Sequence, residues 1–405
     1  MTNRIRVTLV STSCILVFYI VVGGLLGKND SSTEKTYRNL GVYSEVLNRI
    51  KQDYVTAPNL KKVTDGAIRG LLEALDPYST YLSAEEYQEY LRHPDSGPAN
   101  VGIFLSKRMG FATVVSVLPG SPAEKAGVKI GDLIDRVENT ATRELSVVQI
   151  QRLMAGDAST TVTLTIVREA RGEPQKFTIT RTTLTYPPVI AKIVDEGTGY
   201  LRVATFEKGK AAEISAKLKE LQANGARKIV LDLRNCAGGR VEDAVETASL
   251  FLDKGLVAYL YGQRYPRQDL TAHPSGAVSS LPLAVLINQS TAGPAELVAS
   301  AILGNKRGEV VGVRSFGVGV LQKTIPVGDG SALLLSVAKY YGPDGKAIHD
   351  NGVTPSVIQP AGGDTGSIDD EGEPEEPEHF GGKGDLQLRK AIEILKQPPL
   401  SAKAG

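Results

Sequence analysis

Apolar residues recur along the chain with different periods, and the period changes at a few points. Between 37 and 92, Tyr43, Leu47, Ile50 and Tyr54 fall at i, i+4, i+7 and i+11, one face of a helix. Ile68, Leu71, Leu72 and Leu75 repeat the pattern, so two short amphipathic helices are predicted. The second breaks at Leu75-Asp76-Pro77, because a residue before proline is pushed out of helical geometry. From 97 to 183 short strands and turns take over, at 101–105, 112–118 and, with strict alternation, 161–166. Ser121-Pro122-Ala123-Glu124-Lys125-Ala126-Gly127 reads as one capped helical turn, with serine as N-cap, proline first and glycine last. Gly131-Asp132-Leu133-Ile134 begins another strand, and 147–154 can form a helix. From 187 to 360 strands at 200–206, 228–234 and 283–287 alternate with helices at 211–223, 241–252 and 295–303. That alternation predicts an α/β fold with right-handed crossovers.

The ends differ from the middle. Twenty-one residues, 7–27, carry no charge between Arg4 and Arg6 on one side and Lys28 on the other. At 1.5 Å per residue such a helix spans a bilayer core of ~30 Å. The expectation is a single-span anchor within 1–28, with Arg4 and Arg6 keeping a short N-terminus in the cytoplasm and the main body exported. A signal peptide, cleaved to leave a secreted protein, is the alternative. Residues 361–384 are rich in Gly, Asp, Glu and Pro and predict a disordered acidic linker, followed by a short helix over 385–397.

Length and charge narrow the function. A chain of 405 residues predicts two to three domains, and Lys+Arg 46 against Asp+Glu 45 leaves no basic field for nucleic acid. Cys14 lies in the apolar run and the other cysteine is Cys236, so no disulfide framework is expected. His93, His273, His349 and His379 lack metal-ligand spacing, so neither a metal, a cofactor nor a Ser-His-Asp triad is expected.

The chemistry centres on Asn288-Gln289-Ser290-Thr291-Ala292-Gly293-Pro294-Ala295-Glu296, between a predicted strand and a predicted helix. A sharp strand-to-helix turn is where an α/β enzyme presents a nucleophile. Gly238-Gly239, at another helix start, offers free backbone N–H groups, for an oxyanion or simply for a tight turn.

Residues 97–183 resemble a PDZ domain, through Val101-Gly102-Ile103-Phe104, the turn from Ser121 to Val128, Gly131-Asp132 and the strand reaching Arg168. The resemblance implies strand addition of an extended C-terminal peptide, its carboxylate held by exposed amides of Gly102, Ile103 and Phe104. A β-rich domain with a degenerate groove is the bland alternative.

From about Tyr37 to Leu395 the chain resembles the tail-specific, or C-terminal processing, serine peptidases. The likeness is carried by Leu75-Asp76-Pro77-Tyr78-Ser79, Asp232-Leu233-Arg234-Asn235 with Gly238-Gly239, and the stretch from Asn288. Phe316-Gly317 with Gly319 and Gln322, Tyr340-Tyr341-Gly342-Pro343-Asp344-Gly345 and Gly352-Val353-Thr354-Pro355 add to it. It implies a ClpP/crotonase-like α/β peptidase core with an inserted PDZ domain and an N-terminal helical segment. It also implies a Ser-Lys dyad assisted by a Gln, with the PDZ domain gating access for protein tails.

The residues depart from that pattern where the reaction needs them. The nucleophile position is Gly293, the lysine position is Val318, and the next residue after the nucleophile is Pro294, which has no N–H for an oxyanion. Gln322 is retained, expected on one strand face with Val318, and Cys236-Ala237 stand where the family usually has Asn and Pro. The expectation is an inactive homologue that binds unstructured protein C-termini. The alternative is an active endopeptidase with a displaced nucleophile, Ser290 or Thr291, with Lys323 as a base that points the wrong way, or Cys236 as a thiolate. Expected partners are protein C-terminal tails and the membrane; a second copy or an active relative is left open.

Overall fold

The computed structural model describes residues 31–92, 98–108, 110–168, 172–195, 197–273, 276, 278–361, 380–382 and 384–397. The expected anchor over 1–28 and most of the expected linker over 361–384 lie outside the described residues. Among the described residues no helix is long and apolar enough to cross a membrane. The chain divides into two compact units, Met1–Ile68 and Arg69–Gly405.

In the first unit α1 (Ser31–Asp53) is longer than the periodicity predicted, and α2 (Leu60–Glu73) begins. The second unit opens with the end of α2, then β1 (Thr80–Leu82) and α3 (Ala84–Arg92). β1 falls in a stretch read as helical; it becomes a strand because it pairs with a partner some 250 residues away, Thr80 opposite Leu334.

The PDZ-like region contains β2 (Ile103–Arg108), β3 (Phe111–Val117), α4 (Pro122–Lys125), β4 (Leu133–Val137), β5 (Thr140–Ala141), α5 (Val147–Met154), β6 (Thr161–Val167) and β7 (Gln175–Thr180). Its antiparallel sheet runs β2-β3-β4-β6-β7, with β5 beside β4, around Val114, Ile134, Ile150 and Leu164. The capped turn forms as its residues dictate: Ser121 Oγ accepts from Glu124 N at 3.2 Å.

The rest is β8 (Ile190–Asp195), β9 (Thr198–Arg202), α6 (Lys210–Ala223), β10 (Lys228–Asp232), α7 (Val241–Ser249), β11 (Leu256–Gly262), β12 (Tyr265–Thr271) and β13 (Leu283–Ile287), then α8 (Pro294–Gly304), β14 (Glu309–Gly312), β15 (Val320–Pro326), β16 (Ala332–Tyr341), β17 (Val357–Ile358) and α9 (Leu386–Lys396). One sheet runs β17-β14-β13-β10-β9-β8, parallel except for the β8–β9 pair. All five residues of β13 are buried, which is why its sequence is a continuous apolar run rather than an alternation. A second, antiparallel sheet joins β1, β16, β11 and β12, with β15 on the remaining edge of β16. The parallel sheet delivers β10 and β13 side by side, so the turns that follow them meet.

Candidate active site

The chain leaves β13 at Ile287 and enters α8 at Pro294 through a turn whose last residue is Gly293. Gly293 stands at φ 64°, ψ −123°, a region glycine enters freely and L residues do not. A Cβ placed there would meet nothing within 4 Å. The turn therefore makes a sharp strand-to-helix bend with open space beside Gly293 and no side chain there. Pro294, buried at the first position of the helix, has no N–H.

The turn after β10 is knitted to this one. The Asn288 Oδ1 accepts from Asn235 N at 3.0 Å and Ser290 N at 3.1 Å, and Asn288 Nδ2 donates to Asn235 Oδ1 at 2.6 Å. Ala292 N donates to Cys236 O at 2.9 Å. Gly238 and Gly239 follow, at φ 76° and 100°. A Cβ on Gly239 would lie 2.3 Å from the Phe206 carbonyl carbon, so only glycine fits. Phe206 N donates to Gly238 O at 3.3 Å and Arg240 N to Phe206 O at 2.7 Å, a bridge that does not use the Gly239 N–H. Phe206 makes this bridge instead of extending β9, which is why the strand predicted to 206 stops at Arg202.

Glu296 does more than the helix-start carboxylate that its position suggested. Its Oε2 accepts from Gly293 N at 2.9 Å and Val318 N at 2.8 Å; its Oε1 accepts from Ser315 Oγ at 2.5 Å and Gly317 N at 2.8 Å. One buried carboxylate thus pins the loop of Gly317 and Val318 to the Gly293 turn. Burial pushes this carboxyl up to about 7, against the pull of its four donors. The N3 position was legible in the sequence; the loop it reaches was not.

Val318 and Gln322 do not share a strand face as expected. Val318 lies in the loop before β15, and the β15–β16 register shifts between Leu321 and Gln322. Val318 packs against the PDZ core, and Gln322 Nε2 donates to Tyr78 O at 2.7 Å. The other candidate groups are not assembled. Lys323 is exposed, its Nζ 5.3 Å from the centre of the Tyr265 ring. Ser290 is 2 % exposed, and Thr291 Oγ1 donates to Leu233 O at 2.8 Å. Cys236 is fully buried, and burial pushes its thiol up, so it stays protonated.

The peptide groove also differs from expectation. Val101, Gly102 and Ile103 are buried and Phe104 is half-buried, so this segment is not exposed as the PDZ likeness implied. Val101 O accepts from Ala123 N at 2.9 Å and Gly102 O from Leu118 N at 2.8 Å. Gly102 is closed in by Ser121, whose Cβ lies 2.3 Å from where a Cβ of Gly102 would stand, and the segment Asp76-Pro77-Tyr78-Ser79 packs against the same domain. Pro77 O accepts from Val147 N of α5 at 3.4 Å, and the Tyr78 hydroxyl is 2.8 Å from Ser106 Oγ of β2. Pro77 and Tyr78 thereby bridge α5 and β2, the two walls of a PDZ groove. Asp76 Oδ1 fixes that segment by accepting from Tyr78 N at 2.8 Å and Ser79 N at 2.7 Å. On the far side, Ser116 Oγ donates to Asn235 O at 2.7 Å, and the Phe104 ring lies 3.5 Å from where a Cβ of Gly238 would stand. The PDZ sheet is therefore seated directly on the glycine turn.

Known proteins resemble this chain in sequence and in fold. The profile of peptidase family S41 matches residues 197–358, that of the PDZ domain residues 113–168, and that of the activating protease CtpB N-terminal domain residues 24–86. The chain is 31 % identical over 335 residues to the carboxy-terminal-processing protease of Bartonella bacilliformis, covering 81 % of this chain and 76 % of that one. It is 30 % identical over 358 residues to the carboxy-terminal processing protease CtpA of Bacillus subtilis, covering 87 % and 75 %. Among solved structures, a photosystem II D1 C-terminal processing protease superposes with a TM-score of 0.65 at 28 % identity, over 78 % of this chain and 92 % of that one. With a PDZ domain seated on an α/β core whose turns meet at Gly293, the chain belongs to the carboxy-terminal-processing proteases of peptidase family S41.

Proposed function

We propose that this family member binds unstructured protein C-termini through its PDZ groove and does not hydrolyse them. The observation that carries this reading is the Gly293 turn, open above the Cβ position yet without a nucleophile. Acyl transfer by a Ser-Lys dyad needs a hydroxyl at the turn, an amine in an apolar pocket and N–H groups aimed at the oxyanion. Gly293, Val318 and Pro294 supply none of the three, and Val318 directs its N–H to Glu296. The groove opens for a ligand when Tyr78 leaves Ser106. The apolar run over 7–27 is proposed to hold the protein in the membrane with its body exported.

The test is turnover of an unstructured protein substrate by the fragment from about residue 30 onward, beside its Ser290→Ala variant. No turnover, with saturable binding of peptides that have a free C-terminus and weaker binding by Phe104→Ala, is the expected result. Turnover abolished by Ser290→Ala would overturn it and make Ser290 the nucleophile.

A further inference from the structure

The second sheet has a face that the peptidase core does not cover. A groove of about 670 Å³ runs across it, between the β11–β12 hairpin and the strands β15 and β16. Its size is that of a pocket for a drug-sized ligand or a short peptide. Tyr261, Ile325 and Val337 give it an apolar floor, and Tyr261 is 52 % and Ile325 38 % exposed. Exposed apolar side chains that adjoin one another in a concave surface mark interaction sites more often than isolated ones do.

The charges around this floor are unevenly spent. Asp76 is occupied by Tyr78 N, Ser79 N and Ser79 Oγ, and Asp350 lies 3.4 Å from His349 Nε2. Both carboxylates keep their charge, because N–H and O–H donors do not neutralise Asp76 and burial pushes the His349 pKa down, which leaves that imidazole neutral beside Asp350. Lys323 rests over the Tyr265 ring, and among the described residues no carboxylate pairs with Arg264 or Lys339. All three are exposed. The groove thus offers an apolar floor with three exposed cations, Arg264, Lys323 and Lys339, against two carboxylates, Asp76 and Asp350.

We propose that this sheet face is a second docking site, for an extended polypeptide segment in which carboxylates alternate with apolar side chains. The choice of a polypeptide rests on the function proposed above; the choice of an acidic one rests on the unpaired cations. An extended chain projects successive side chains to opposite sides, so alternate residues would face the floor of β15 and β16. The site needs no free C-terminus, which separates it from the PDZ groove.

The experiment uses a short peptide alternating glutamate with leucine and phenylalanine, labelled, acetylated and amidated. Binding to the exported body is followed by fluorescence anisotropy. The expected result is saturable binding that weakens with salt, as contacts between exposed charges do. It should weaken about tenfold in Lys323→Glu/Lys339→Glu and fall in Tyr261→Ser, with the melting temperature checked for each variant. Unchanged affinity in these variants would overturn the proposal. So would equal binding of the same peptide with lysine for glutamate, or equal competition by single-stranded DNA. If only peptides with a free C-terminus bind, the PDZ reading stands and this one falls. If the amidated peptide binds and free C-termini add nothing, this site stands and the PDZ reading falls.

Discussion

At Gly293 a single residue separates shape from chemistry. A serine there meets open space, yet it must adopt φ 64°, which costs of order 1–3 kcal/mol for a residue with a Cβ. Gly293→Ser is therefore expected to lower stability by about that amount in denaturant titration and to show no turnover. On the proposed reading, turnover is expected only when Pro294→Ala and Val318→Lys are added, because each would supply a different part of the dyad and oxyanion site. The neighbouring Glu296 has a pH signature. Its folded pKa of about 7 lies above the ordinary carboxyl value of 4.5. Below about 4.5 both states are protonated, and its contribution to stability is intact. As pH rises toward about 7 the unfolded chain releases the proton first, and stability falls by about 3 kcal/mol. Glu296→Gln should flatten that part of the pH–stability curve. Above about pH 7, where the ionised carboxylate accepts all four bonds, it should also cost about 1–3 kcal/mol, because an amide N–H₂ then faces backbone donors. Chemical denaturation between pH 4 and 8 checks both.

Among the elements, the groove walls carry the sharpest expectation. Tyr78 bridges to β2 through one hydroxyl contact, while Pro77 meets α5 through its carbonyl. Tyr78→Phe removes only the hydroxyl, worth about 0.5–1.5 kcal/mol. If Tyr78 must leave for a ligand to enter, this variant should bind peptides with free C-termini about three- to tenfold more tightly in anisotropy titrations. Weaker or equal binding would argue that Tyr78 is simply part of the PDZ core. The periodic elements at this scale were legible: β6 alternates and reads as a half-buried strand, and α8 follows a wholly buried β13. β1 and β16 were not, and β15, expected as a strand around Gln322, was not legible in its start or its register. Their partners are distant in sequence or offset by a register shift, and strand propensity depends on that partner.

At the scale of the molecule, α9 is locked to the core by Arg234. This guanidinium is 2 % exposed and holds Asp232, Asp385 and Gln387, with Nη2 2.6 Å from Asp385 Oδ2. Asp385→Ala leaves a buried charge short of one partner and removes the helix cap on Leu388 N. A loss of about 3 kcal/mol and earlier proteolysis at α9 are expected in melting and limited digestion. The sequence alone determined which parts exist: the PDZ domain, the α/β core and the residue identities Gly293, Pro294 and Val318 on which the proposed loss of reaction rests. Those are properties of residue identity and local period, which need no partner to be read. Tertiary structure alone decided what those parts do to one another. It seated the PDZ sheet on Gly238, drew Pro77 and Tyr78 across the groove, moved Val318 off the strand and bound its loop to the Gly293 turn through Glu296. These depend on contacts between residues that are far apart in the chain. Closing such contacts is a matter of packing and loop entropy that no local pattern encodes.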